Sequence, residues 1–217
     1  MEIVIIGGAS QLKEAQSKFG DAHHYSLFPD HQSTEPILKN ADVVFDFLIG
    51  DSPSQVNLYK PFHSLVVFLD ATHLSLSSLN IKDFKCILFG FCGLATFLNR
   101  EILEVSLQSR DQEQELKRIC KTLNTSFLVV ADKVGLVTPR VICMIINEAY
   151  YTVEQGTAMK EDIDKAMKLG TNYPFGPFEW CEKIGKRSVA TFLESLHRST
   201  GDNRYQVSKL LKSESLK

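Results

Sequence analysis

Short, unbroken apolar runs dominate the first 131 residues: IVII (3–6), ADVVFDFLI (41–49), LVVFL (65–69), CILFGF (86–91), ILEVSL (102–107) and SFLVVA (126–131). A strand with one wet face alternates apolar and polar residues. Continuous β-branched runs bounded by turn residues are what strands covered on both faces look like. Such strands are parallel, and several of the spacers are long enough for the crossover that parallel neighbours require. The clearest spacer helix is DQEQELKRICKTL (111–123), which sets Leu116, Ile119, Cys120 and Leu123 at three-to-four spacing. The first half is expected to be a mostly parallel α/β sheet.

Past Lys133 the pattern changes to helices alone, which places a domain boundary near residues 132–136, with domains at 1–132 and 133–217. TPRVICMIINEAYYTVEQG carries Val141, Ile142, Ile145, Ala149 and Val153 on one face, and Met144 and Ile146 widen that face beyond an amphipathic stripe. KEDIDKAMKLG has acids first and lysines late, with Gly170 as the expected cap. GPFEWCEKIG opens on Pro177 and stops at Gly185. Two more helices are expected near 187–198 and 204–212.

Composition narrows the partners. The 217 residues carry a net charge of −2 with 23% charged side chains of mixed sign, so there is no basic face for nucleic acid and no polybasic membrane anchor. The longest uncharged run, CILFGFCGLATFL (86–98), is too short to cross a bilayer as a helix. The EIVIIGG that follows Met1 lacks the parts of a signal peptide. Five cysteines without a CxxC pair point to a reducing compartment, so a cytoplasmic location is expected. His23 and His24 have no Cys or acid at ligand spacing, so no metal site is expected.

EDIDKAMKLGTNYPFGPFEWCEKIG resembles the C-terminal domain of the 3-hydroxyacyl-CoA dehydrogenases, which shows a Glu-Asp-Ile-Asp-x-Ala-Met-x-x-Gly helix, a Tyr-Pro-x-Gly-Pro loop and an apolar helix ending in Gly. KVGLVTPRVICMIINEAYYTVEQGTA is similar to the family's preceding segment, and the likeness runs from about 132 to 196. The resemblance implies an N-terminal Rossmann domain for NAD, an acyl-CoA substrate, and a helical 6-phosphogluconate-dehydrogenase-C-terminal-like domain that forms a homodimer. It also implies a helical excursion after the second strand that contacts CoA. Only SLFPDHQSTEPILKN separates the second strand from ADVVFDF, so the Rossmann half is expected to be shortened and to lack that excursion.

Position by position, the family's motifs thin out in the first half. A dinucleotide fingerprint uses three glycines, for the turn, for approach to the pyrophosphate and for packing of helix on strand. In IVIIGGASQLKEA these positions are Gly7, Ala9 and Leu12, so NAD binding is degenerate, and Gly8 and Ser10 are left as donors for an anion. Asp30 is the acid nearest the second strand's end and reads as a turn residue. Setting ILEV on the family's Leu-Val-Glu-Val places Glu104 on the acid that orients the catalytic His, and Cys92 on that His. The orienting acid is retained and the base is absent. Pro139 stands where the family has a substrate-facing Asn. Thr72 or Ser75 is left to supply a hydroxyl, and His73 is the candidate replacement base. The functional expectation is a divergent family member with weak or absent hydride transfer and a binding or scaffolding role. The alternative is a working NAD-dependent oxidoreductase on a 3-hydroxyacyl-CoA or a related small hydroxy substrate.

Overall fold

A computed structural model describes residues 1–216 and divides the chain into two compact units, Met1–Leu136 and Val137–Lys217. Residues 133–136 stay with the first unit because the Gly135 N–H donates to the Ala71 carbonyl at 3.0 Å.

The first unit is a seven-stranded sheet: β1 (Glu2–Ile6), β2 (His24–Phe28), β3 (Val43–Asp46), β4 (Val66–Asp70), β5 (Ile87–Phe91), β6 (Ile102–Leu107) and β7 (Ser126–Val130). Their order is β2-β1-β3-β4-β5-β6-β7, and every pair is parallel except β5 with β6. α1 (Ala9–Phe19) joins β1 to β2, and α3 (Glu113–Thr122) joins β6 to β7. The alternation of side chains along each strand sorts the apolar residues onto two faces. On one face Ile3, Ile5, Phe45, Phe68 and Phe89 pack with Ala15 and Phe19 of α1 and with Leu116 and Ile119 of α3. There Phe45 and Phe68 stack with ring centroids 4.7 Å apart. On the other face Val4, Ile6, Val44, Val67 and Leu88 pack against Leu38, Val56, Tyr59 and Leu76.

That second face departs from the expected βαβ pattern. The β2–β3 connection holds only the four-residue α2 (Glu35–Leu38), and the next two crossovers hold 3-10 segments, Pro53–Tyr59 and Leu76–Ser78. The spacers are of helical length, but Pro29 and Pro36 break the first, and Gly50, Pro53 and Pro61 break the second. Between Phe28 and Val43 the chain thus has only a short connection, without the long helical excursion that the resemblance implies.

The second unit is helical: α4 (Thr138–Glu154), α5 (Lys160–Thr171), α6 (Pro177–Ile184), α7 (Lys186–Thr200) and α8 (Lys209–Glu214). α5 runs through Gly170 and ends instead on Asn172, whose φ of 56° makes the left-handed turn. α6 starts where Asp164 of α5 accepts the Phe178 N–H at 2.8 Å and the Glu179 N–H at 3.1 Å. Only glycine fits at 176 beside it, because a Cβ there would lie 2.2 Å from the Asp164 carboxyl carbon. Asn147, 1% exposed in α4, clamps the chain before α8 by donating to the Gln206 carbonyl at 2.7 Å and accepting the Ser208 N–H at 2.9 Å. No helix among the described residues is long and apolar enough to cross a membrane.

Candidate active site

In an open parallel sheet, ligands bind outside the C-terminal strand ends where the strand order reverses. Here the reversal lies between β1 and β3. β1 ends at Ile6, Gly7 and Gly8 make the turn, and α1 begins at Ala9, so this turn is where a pyrophosphate would meet the helix N-terminus. The Gly8 N–H instead donates at 2.9 Å to the side-chain oxygen of Gln11, and the Ser10 hydroxyl donates to the same oxygen at 3.0 Å. The chain's own amide oxygen thus takes the two donors that were the sequence candidates for an anion. A Cβ at Gly7 would lie 3.3 Å from that of Phe47, which follows β3. Leu12, at the third fingerprint position, packs against the core cluster under α1. After β2, Asp30 accepts the Gln32 N–H at 2.8 Å, closing a turn.

Beside this crevice lies a buried cluster that the sequence did not reveal. Asp46, the last residue of β3 and 0% exposed, accepts the Tyr59 hydroxyl at 2.8 Å and the Leu48 N–H at 2.9 Å. His31 Nε2 lies 2.9 Å from the same carboxylate. His31 comes from the β2–β3 connection and Tyr59 from the segment after β3, so two loops meet on one carboxylate. Burial and the neighbouring Asp46 push the Tyr59 phenol well above its ordinary range, which keeps it a hydrogen-bond donor.

A second group gathers at the ends of β4 and β5. Asp70 closes β4, opposite Phe91 of β5. Its Oδ1 accepts the Thr72 N–H at 2.9 Å, the Gly93 N–H at 2.9 Å and the Thr72 hydroxyl. Thr72 Oγ1 also lies 3.7 Å from Cys92 Sγ. Gly93 is required by close approach, since a Cβ there would sit 2.3 Å from Asp70 Oδ2. Burial raises the Asp70 carboxyl above its ordinary value, opposed by the bonds from Thr72 and Gly93 and by the charge of His73. His73 therefore shares this edge with Asp70, and its side chain lies beside Gly50.

Cys92 is buried, and Glu104 is half-buried in the middle of β6, paired with Leu128 of β7. The antiparallel register pairs Phe89 with Leu107 and Gly90 with Ser106. Carried on past the end of β5, it sets Cys92 and Glu104 at opposing positions. Thr72 has its hydroxyl engaged by Asp70, and Ser75 Oγ lies 3.0 Å from Ser77 Oγ. The acid that the sequence reading missed here, Asp70, had one legible signal: it ends the apolar run LVVFLD.

A mostly parallel, Rossmann-type sheet followed by a helical unit with an acid-capped Gly-Pro helix defines the architecture. The family model "3-hydroxyacyl-CoA dehydrogenase, C-terminal domain" matches residues 135–215. That match lies on the helical unit of the chain. The chain is 40% identical to 3-hydroxyadipyl-CoA dehydrogenase of Escherichia coli over 89 residues, 41% of this chain and 19% of that protein. It is 27% identical to 3-hydroxybutyryl-CoA dehydrogenase of Clostridioides difficile over 183 residues, 80% of this chain and 65% of that protein. The chain thus spans less than two thirds of the length of these relatives. In fold it is similar to (S)-3-hydroxybutyryl-CoA dehydrogenase from Ralstonia eutropha, with a TM-score of 0.75 and 18% identity, covering 98% of this chain and 92% of that one.

Proposed function

We propose that this chain is a divergent 3-hydroxyacyl-CoA dehydrogenase relative that has lost NAD-linked hydride transfer and retains a binding or scaffolding role toward an acyl-CoA, as a homodimer in the cytoplasm. One observation carries the reading: the Gln11 side-chain oxygen takes the Gly8 N–H and the Ser10 hydroxyl at the start of α1. The residues at this turn do not suit a dinucleotide, because Ala9 adds a methyl group where phosphate should pass and Gln11 already satisfies the helix end. At the second strand's end, Asp30 is engaged in its own turn rather than presented to a ribose. A buried Cys92 at the position of the family's base agrees with lost proton abstraction, a contribution of roughly 10²- to 10⁴-fold in rate. The acyl-CoA comes from the names of the relatives. Five buried thiols, all free, support a reducing compartment.

For the dimer, support comes from a groove of about 610 Å³ along α4, lined by Val141, Met144, Ile145, Ile163 and Met167, in which Val141 is 53% exposed. An apolar helix face of this kind is the usual substance of a two-fold interface.

Titration of NAD and NADH into the purified protein by calorimetry is expected to show no saturable binding in the low micromolar range, and such binding refutes the reading. A second reading, NAD-dependent oxidation with His73 as base, draws on the place of His73 beside Asp70. It requires turnover of 3-hydroxybutyryl-CoA that disappears in His73→Ala.

A further inference from the structure

Two opposite charges flank the apolar part of the groove along α4. Arg140 and Glu148 both line it, each about one helical turn from Met144, one before it and one after. They lie outside the three-to-four spacing at which side chains of one helix meet, so they do not serve each other. Arg140 is oriented by Tyr205, whose hydroxyl accepts from Nη1 at 2.9 Å, and a guanidinium has donors enough to serve a second acceptor at the same time. Glu148 is exposed. Arg204 also lines the groove but pairs with Asp202 at 3.0 Å. Ile163 and Met167 of α5 complete the apolar lining, and α5 has no buried residue. It is fastened by polar contacts instead, from Asp164 to the start of α6, from Lys168 to Glu179 and from Lys160 to Glu214. An amphipathic helix ordinarily buries its apolar stripe, and here that stripe is turned to the groove.

The placement of the charges points to one occupant. In a two-fold interface residue i of one chain meets residue j of the other, and j meets i. When two copies of α4 cross antiparallel at Met144, position 140 faces position 148 of the other chain, and 148 faces 140. A cation and an anion spaced evenly about the crossing then pair twice. A parallel alignment sets cation on cation and acid on acid. A ligand or an unrelated protein has no need of charges arranged symmetrically about Met144, whereas a second copy of this chain does. We propose that the groove is filled by α4 of a second copy, antiparallel and crossing at Met144, with Arg140 of each chain on the partner's Glu148. The inference rests on the homodimer reading above and adds the register and the residues that fix it.

Charge reversal tests it. Arg140→Glu turns both cross-contacts into acid on acid, and Glu148→Arg turns both into cation on cation. Like charges facing across an interface repel, so each variant alone loses self-association by about 100-fold and runs as a single chain in light scattering at micromolar concentration. Mixed in equal amounts, the two variants are complementary at both contacts, and the mixture returns to twice the chain mass. A change confined to the fold of either chain does not produce that recovery, and circular dichroism of each variant checks the fold directly. Glu148 is exposed, so Glu148→Arg keeps its fold and carries the test even where Arg140→Glu disturbs Tyr205. A Glu148→Arg variant that associates as tightly as the unmodified protein, or a folded pair of variants whose mixture stays monomeric, overturns the register and leaves the homodimer reading standing. An unmodified protein that runs as a single chain overturns both.

Discussion

Two acids end two apolar strands, Asp46 buried and Asp70 half-buried, and the contacts of each make single substitutions informative. Asp46 holds its charge away from water against Tyr59, Leu48 and His31. Tyr59→Phe removes one donor and leaves the ring in place, so its cost is that of a buried acceptor left short, about 1–3 kcal/mol in urea denaturation at neutral pH. A cost near zero would mean that water replaces the hydroxyl. Gly93→Ala tests the neighbouring site, where the added methyl overlaps the Asp70 carboxylate. Destabilisation of about 1–3 kcal/mol is expected, the range for overpacking in a tight interior. The same positions show how far residues can be read from sequence. Glu104 and Cys92 are singled out by the family's spacing, and Gly7, Gly8 and Ser10 by the fixed pattern of a nucleotide turn. Asp46 and Asp70 carry a weaker mark, an acid at the end of a strand. Their donors arrive from His31, Tyr59 and Gly93, which only the path of the loops brings close.

Among elements, the helices of the second unit were the most legible and their ends the least. α6 follows directly from Pro177 and Gly185, whereas α5 passes the expected stop at Gly170 and ends on Asn172. Glycine permits a left-handed cap without enforcing one, and Asn is the other residue that adopts it readily. The motif shared with the family gains a structural reason here, because Asp164 of EDID caps the helix that begins at Gly176-Pro177. Asp164→Ala is expected to cost about 0.5–2 kcal/mol, the range for a lost cap, read as a lower melting temperature. Glu214 of α8 offers a pH test. Its carboxyl is raised by burial but lowered more by Lys160, at 2.6 Å, and by Lys186, at 3.3 Å, leaving it below its ordinary value of 4.5. A depressed folded pKa means that the stabilisation is present above the unfolded value and lost as pH falls through the folded one. The stability difference between the unmodified protein and Glu214→Gln should therefore be full at pH 6–7 and shrink below about pH 4.5. A difference that persists undiminished well below that range would assign the effect to packing instead.

For the molecule as a whole, the sequence made the shortening of the first unit plain, since the fifteen residues SLFPDHQSTEPILKN leave no room for a long excursion. It did not show that 3-10 segments would cover one face of the sheet, because spacer length alone does not separate a helix from a proline-broken loop. The change to an all-helical pattern near residues 132–136 was equally plain, and the helical unit begins at Val137. Within that unit the sequence marked α4 as apolar around much of its circumference, and the structure resolves which side faces the unit's own core. Ile142, Cys143, Ile146, Asn147 and Tyr150 face the unit's own core, while Val141, Met144 and Ile145 line the groove. Two charged substitutions then separate association from folding. Phe178 is 7% exposed and packs edge-on against Tyr150 with ring centroids 4.9 Å apart, so Phe178→Asp buries an unpaired charge and is expected to unfold the helical unit. Ile145 is half-buried on the groove side, so Ile145→Asp is expected to leave the fold intact in circular dichroism. It should convert a particle of twice the 24.4 kDa chain mass to a single chain in light scattering at micromolar concentration. A dimer that survives Ile145→Asp moves the contact off this face, and an unmodified protein that runs as a stable single chain removes the dimer altogether.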